Sequence, residues 1–185
     1  MSLLDTEQQK PEITDIRVVA QTKIFQVQAV SLSFSNGQKR VYERLAPSRR
    51  AAVMVLAIDG DDLLMIREYA VGPDRYELVC VKGLIDEGET PIEAANRELQ
   101  EEIGYASHNI QHLRTVYTNP GHMFSPLHMF VARDLVPSKL QGDEPEPLTV
   151  VRVPLSRLDE LINNPDFGNS SLLVALMMLQ KQLAA

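Results

Sequence analysis

Between Lys82 and Tyr105 the chain reads KGLIDEGETPIEAANRELQEEIGY, and no other stretch limits the fold as strongly. Gly83 to Glu89 holds two glycines and no periodicity, which predicts a loop. Helix signals then coincide. Thr90 stands at the N-cap, Pro91 at the first helical position and Glu93 at the third, ready to close a capping box. Gly104 supplies the stop. Ile92, Ala95, Leu99 and Ile103 recur at spacings of three, four and four, so one stripe of this helix must be buried. At ~100° per residue, Glu98 and Glu102 fall on one shoulder of that stripe and Glu101 lies further toward solvent. Carboxylates one turn apart beside a core repel each other and lose hydration, so something must compensate them. A solvated acidic face with Arg97 paired to Glu101 is one answer. A hard divalent cation is the other: oxygen-only ligands without a nearby His or Cys suit Mg²⁺ or Mn²⁺, with waters and phosphate oxygens filling the shell.

The flanking sequence is β-rich. Val30, Leu32 and Phe34 alternate, Asn36-Gly37 is a hairpin turn, and Val41, Glu43 and Leu45 continue on the return strand. AAVMVLAI and LLMIREYA, joined by DGDD, read as a buried strand pair, and YELVCVKG as another strand leading into the loop. HLRTVYTNPG and LHMFVARDLV are strands around NPGHMFSP; LQGDEPEP is an acidic loop, TVVRVPL a strand and LSRLDELINN a short helix. SSLLVALMMLQKQL is a helix apolar nearly all round, with Met177 and Met178 assigned to core or dimer contact. A length of 185 residues accommodates one domain with a core and a small lobe, placed at 1–47 and 48–185.

Charge and apolar runs exclude several functions. The net charge of −7 argues against nucleic acid, whose phosphates demand a concentrated basic surface. A small anionic substrate remains compatible if a cation inverts the local field. No apolar run approaches the ~18 residues of a bilayer span, and MSLLDTEQQKPEI has neither a basic start nor an apolar signal core, so a cytoplasmic location without membrane contact is expected. The single cysteine, Cys80, has no internal disulfide partner and reads as a small buried strand residue.

The full spacing chooses between the two readings of the carboxylates. Gly83, five residues, Glu89, seven residues, then Arg97-Glu98-Leu99-Gln100-Glu101-Glu102-Ile103-Gly104-Tyr105 resembles the signature of the Nudix hydrolases, G-x5-E-x7-R-E-U-x-E-E-x-G-U with U a bulky apolar residue. Tyr105 departs slightly, being aromatic where an aliphatic residue is commoner. The resemblance implies an α/β fold, an α/β/α sandwich with a mixed sheet preceded here by a small N-terminal β lobe. It implies Glu98 and Glu102 as main metal ligands, Glu101 as a further ligand or water-orienting group, and Arg97 and Glu89 as the residues that orient them. The Lys82 carbonyl would complete the inner shell.

Outside the box, Pro120 stands 15 positions beyond Tyr105, as in the family's ADP-ribose pyrophosphatase group. FSNG, RVYERL, IREYAVG, KGLID and GDEPEPL are similar to bacterial family members that act on several ADP-containing dinucleotides and sugars. Ala70 stands where ordinary ADP-ribose pyrophosphatases carry an arginine, which favours that broader branch. The resemblance implies Mg²⁺-dependent hydrolysis of the pyrophosphate in ADP-ribose and related compounds, releasing AMP. Dinucleoside polyphosphates or NADH are the alternative substrates, and a non-catalytic nucleotide-binding regulator is the alternative from another class. An N-terminal lobe exchanged between subunits implies a homodimer. Glu144 and Glu146 fall in the loop that supplies a general base in this group, with Glu101 as the alternative. An adenine wants an aromatic face and phosphates want arginine, which makes Tyr42, Arg44 and Arg67 candidates, with Phe25 behind them.

Overall fold

The structure is a computed structural model, and it describes residue 3, residues 7–48 and residues 50–184. The chain divides into two compact units.

The first unit is a three-stranded antiparallel sheet of β1 (Glu12–Gln21), β2 (Gln26–Ser33) and β3 (Lys39–Leu45), in that order. Asn36-Gly37 makes the β2–β3 turn, where Gly37 adopts a φ of 80° and the Asn36 side chain accepts from the Gln38 N–H at 3.0 Å. Only glycine takes that φ without a steric penalty. β1 carries no clean alternation because its pairing slips twice, between Ile13 and Asp15 and between Val18 and Ala20. A slip moves successive side chains out of period two, which is why EITDIRVVAQ does not read as a strand. The segment Asn119–Phe124 belongs to this unit, not to the second domain where the sequence places it. The Leu45 N–H donates to the His122 carbonyl at 2.8 Å and the Ser48 N–H to that of Phe124 at 3.1 Å.

The second unit is built on a seven-stranded mixed sheet, in which β10 (Thr149–Pro154), β5 (Asp62–Ala70), β4 (Ala52–Asp59), β9 (Pro126–Pro137) and β8 (Tyr105–Tyr117) lie in that order. The β4–β9 pair is parallel and the rest are antiparallel. Val53 to Ile58 are all buried, so β4 is covered on both faces, as a sandwich demands. YELVCVKG is not one strand. It breaks at the buried Cys80 into β6 (Arg75–Val79), paired with β5, and β7 (Val81–Leu84), paired with β4. The break lets a single stretch serve two neighbours and delivers Lys82 and Gly83 to the start of the loop.

Helix α1 (Pro91–Glu98) begins as the capping box requires: the Thr90 hydroxyl accepts from the Glu93 N–H at 3.3 Å, and a Glu93 carboxylate oxygen accepts from the Thr90 N–H at 2.7 Å. It does not run on to Gly104 as an α-helix. Leu99–Ile103 form a π turn, closed by the Gly104 N–H donating to the Leu99 carbonyl five residues back. Such wide turns occur mostly as single-turn insertions in α-helices, frequently at functional sites. The buried face carries Ala94, Ala95, Leu99 and Ile103, whereas Ile92 is 51% exposed in the first turn, short of the residues that meet the sheet. After a single 3₁₀ turn, the short helix α2 (Leu158–Ile162) leads to α3 (Ser170–Leu183), which buries Leu172, Ala175, Leu176 and Leu179 and leaves Met177 exposed.

Candidate active site

Arg97 organises the carboxylates. Its guanidinium forks onto Glu89 (Nε to Oε1 2.8 Å, Nη2 to Oε2 3.0 Å), and Nη1 donates to both Glu98 Oε1 at 2.7 Å and Glu101 Oε2 at 2.8 Å. Nη2 also reaches the Leu84 carbonyl at 2.8 Å, tying the group to the end of β7. Five donors in a planar fork make this possible, and no lysine could reproduce it. The Arg97 contact with Glu89 holds the Glu89 carboxyl below the usual carboxylate range. The predicted pairing with Glu101 exists, but as one strand of a four-residue network rather than an isolated surface pair.

Glu98 and Glu102 are only 8% exposed each, deeper than their place on the shoulder of the stripe implies. Burial pushes both carboxyls upward, Glu102 to about 9, with the Glu98 charge adding to the effect. Among the described residues no arginine hydrogen-bonds to Glu102, which accepts from the Lys82 N–H at 3.3 Å. Lys82 thus meets the site through its amide, and its ammonium stands 3.7 Å from Glu68.

Lys82, Arg97, Glu98, Glu101 and Glu102 line a cleft of about 610 Å³ together with Arg50, Asp86, Gln141, Gly142, Asp143 and Glu144. That size falls within the range of small-molecule sites. Glu144 reaches the cleft from the segment before β10, and burial together with the Glu68 and Asp143 charges pushes its carboxyl upward. Glu146 lines an adjoining depression with Glu101, Glu102 and Glu144, and accepts a 2.5 Å hydrogen bond from the Tyr76 hydroxyl.

The other sequence candidates lie elsewhere. Arg67 lines a separate depression with Arg152 and Arg157, while its neighbour Glu68 stands beside Lys82. The two-residue period of a strand sends adjacent side chains to opposite faces, and the sequence does not say which faces which. Tyr42, Arg44, Phe25 and Pro120 are in the first unit. There Tyr42 and Phe25 are about half exposed, Arg44 donates to the Gln28 side chain at 3.2 Å, and Pro120 stands in the turn before His122. Sequence reasoning missed Arg50, Glu68 and Asp143. None carries a local signal, because each comes from a different segment and only tertiary pairing collects them.

Glu98, Glu101 and Glu102 supply oxygen alone, from a desolvated and strongly acidic site, which fits a hard divalent cation and no thiophilic one. Among the described residues no three His, Cys, Asp or Glu side chains converge closely enough to hold a metal ion. Arg97 Nη1 explains this geometry, since it draws Glu98 and Glu101 onto itself.

Residues 48–172 match the NUDIX domain, and residues 11–44 match the NudE-type Nudix hydrolase N-terminal domain. The chain is 46% identical over 175 residues to the ADP compounds hydrolase NudE of Escherichia coli (strain K12), covering 95% of this chain and 94% of that protein. An ADP-ribose pyrophosphatase of Bacillus subtilis (strain 168) is 27% identical over 172 residues, 89% of this chain and 92% of the other. A crystal structure of ADP compounds hydrolase matches with a TM-score of 0.92 at 45% identity, over 97% of both chains.

Proposed function

This chain belongs to the Nudix family of hydrolases, and from that premise we propose that it hydrolyses the pyrophosphate bond of ADP-ribose and related ADP-X compounds, releasing AMP. The observation that carries the reading is the cleft in which one guanidinium, Arg97, itself bonded to Glu89, gathers Glu98 and Glu101 beside the buried Glu102. The similarity to an ADP compounds hydrolase over nearly the whole chain supports the substrate class.

Glu98, Glu101 and Glu102, with the Lys82 carbonyl, would hold Mg²⁺, or Mn²⁺ in its place. When bound, the cation supplies a Lewis acid that neutralises phosphoryl charge and lets an acidic cleft accept a pyrophosphate. Arg97 keeps Glu98 and Glu101 oriented. Arg50 and Lys82 line the same cleft and offer positive charge to phosphate oxygens. Glu144 takes the proton of the attacking water at a carboxylate oxygen as the new P–O bond forms and the bridging P–O bond breaks. Its position in the cleft supports this role, as do its raised pKa and the lack, among the described residues, of any hydrogen-bond partner of its own. Glu146 is held by Tyr76 and Glu101 by Arg97, which ranks both behind Glu144.

The decisive assay incubates the protein and Mg²⁺ with ADP-ribose, diadenosine triphosphate, NADH and ADP-sugars and reads AMP release. Turnover of the ADP-sugar class is expected. Equal binding of nucleotide by wild type and Glu102→Gln without turnover of any compound would favour a regulator.

We also propose a cytoplasmic homodimer joined through the N-terminal unit. Among the described residues no helix is long and apolar enough to cross a membrane. All ten residues of β1 are exposed, Ile13, Ile16, Val18 and Val19 among them, an apolar strand surface that a second subunit would cover. Light scattering at twice the chain mass is the expected result, and a monomer would refute it.

A further inference from the structure

The segment 141–148 brings Glu144 to the cleft, and among the described residues it makes few hydrogen bonds, its Leu148 end packing against the core. Upstream, the Leu140 N–H donates to the Gln100 carbonyl at 3.2 Å, the Ser138 hydroxyl to the Gln100 side chain at 2.8 Å and the Lys139 ammonium to the Glu101 carbonyl at 2.6 Å. These bonds fix the segment's start to the π turn. Downstream, β10 joins the sheet at the pair Thr149–Arg67. Between these anchors, among the described residues, one hydrogen bond ties the segment down: the Tyr76 hydroxyl to Glu146 Oε1, at 2.5 Å. A hydroxyl donating to a carboxylate at this distance is in the short, charge-assisted class, stronger than a neutral bond.

Tyr76 is well placed to act as a fixed post. It lies on β6, where it pairs with Tyr69 of β5, and the two rings meet edge to face with centroids 5.6 Å apart. Such contacts hold a ring in one orientation. Glu146 is two residues from Glu144, so whatever fixes the one limits the position of the other.

We infer that Tyr76 is a positioning residue: its hydroxyl, by holding Glu146, anchors the 141–148 segment and seats Glu144 in the carboxylate cleft. The catalytic half of this inference rests on Glu144 acting as the base. Tyr76 is not among the residues that line the cleft, so removing the hydroxyl acts on the proton-accepting step and not on nucleotide binding.

The test combines two readouts on the full-length protein. Amide hydrogen exchange reports the anchor directly: Tyr76→Phe is expected to speed exchange across 141–148 and leave the sheet unchanged. Kinetics with ADP-ribose and Mg²⁺ report the consequence: Tyr76→Phe lowers kcat about tenfold while KM stays within about twofold, a fraction of what losing a general base costs. Glu146→Gln, which keeps an acceptor, retains most of the activity, and Glu146→Ala behaves as Tyr76→Phe. In the Glu144→Gln background, adding Tyr76→Phe changes kcat no further, since both act through one group. Unchanged exchange at 141–148 in Tyr76→Phe overturns the inference, as does a Tyr76→Phe effect that multiplies with that of Glu144→Gln. If exchange rises but Glu144→Gln keeps full activity, the anchor stands and the reading of Glu144 as base fails.

Discussion

Gly83 and Glu98 compete for the same space: a Cβ on Gly83 would collide with the Glu98 carboxylate. The first residue of the box is thus a glycine because a strand backbone must admit the Glu98 carboxyl at close range, not because a turn requires positive φ. The atoms in conflict are the far end of a flexible side chain, so Glu98 can move away without unfolding the protein. Gly83→Ala is therefore expected to keep its thermal midpoint within a few degrees while kcat/KM falls about 10²-fold, the usual penalty of a small misplacement near the chemistry. Paired calorimetry and ADP-ribose kinetics check this.

Arg97→Lys should cost both stability and activity. Lysine cannot bond Glu89, Glu98, Glu101 and the Leu84 carbonyl together, and three part-buried carboxylates lose their common partner. Loss of hydrogen bonds to charged groups predicts a destabilisation of about 2 kcal/mol, read from the urea midpoint without added metal.

Cation binding can be observed without turnover. A ligand at 100 times its Kd stabilises the folded state by about 2.7 kcal/mol. Thermal unfolding of the wild type should therefore shift upward with Mg²⁺, and Glu102→Gln should abolish most of that shift. An equal shift in both proteins would remove Glu102 from the ligand set.

The helix start offers a pH-dependent prediction away from the cleft. Hydrogen bonds from the Thr90 N–H and hydroxyl lower the Glu93 carboxyl below its ordinary 4.5. A depressed carboxyl binds its proton less readily in the folded state than in the unfolded one, so its contribution is present above pH 4.5 and is lost as pH falls through the lowered value. The stability gap between wild type and Glu93→Gln should close below that window in denaturation series at several pH values. Thr90→Ala should cost about 1 kcal/mol at neutral pH.

Much of the site was legible because the box is nearly continuous in sequence. Thr90, Pro91, Glu93 and Gly104 mark the ends of the helical segment through local bonding, and the structure reproduces each of them. The π turn was not legible, since nothing in LQEEI distinguishes i→i+5 from i→i+4 bonding until the segment packs. Glu68 and Arg67 illustrate the other limit. They are consecutive, equally polar, and separated only by which face of β5 stands beside Lys82.

By itself the sequence determined the family, the hairpin at Asn36-Gly37, the capped helix and the clustering of Glu98, Glu101, Glu102 and Arg97 on one segment, all through signals carried by neighbouring residues. Only the tertiary structure decided that Arg97 binds four partners, that Glu144 enters the cleft while Glu146 goes to Tyr76, and that Asn119–Phe124 joins the N-terminal unit. The reason is physical: strand register and face are settled by pairings between segments distant in the chain, and these relations leave no trace in local spacing.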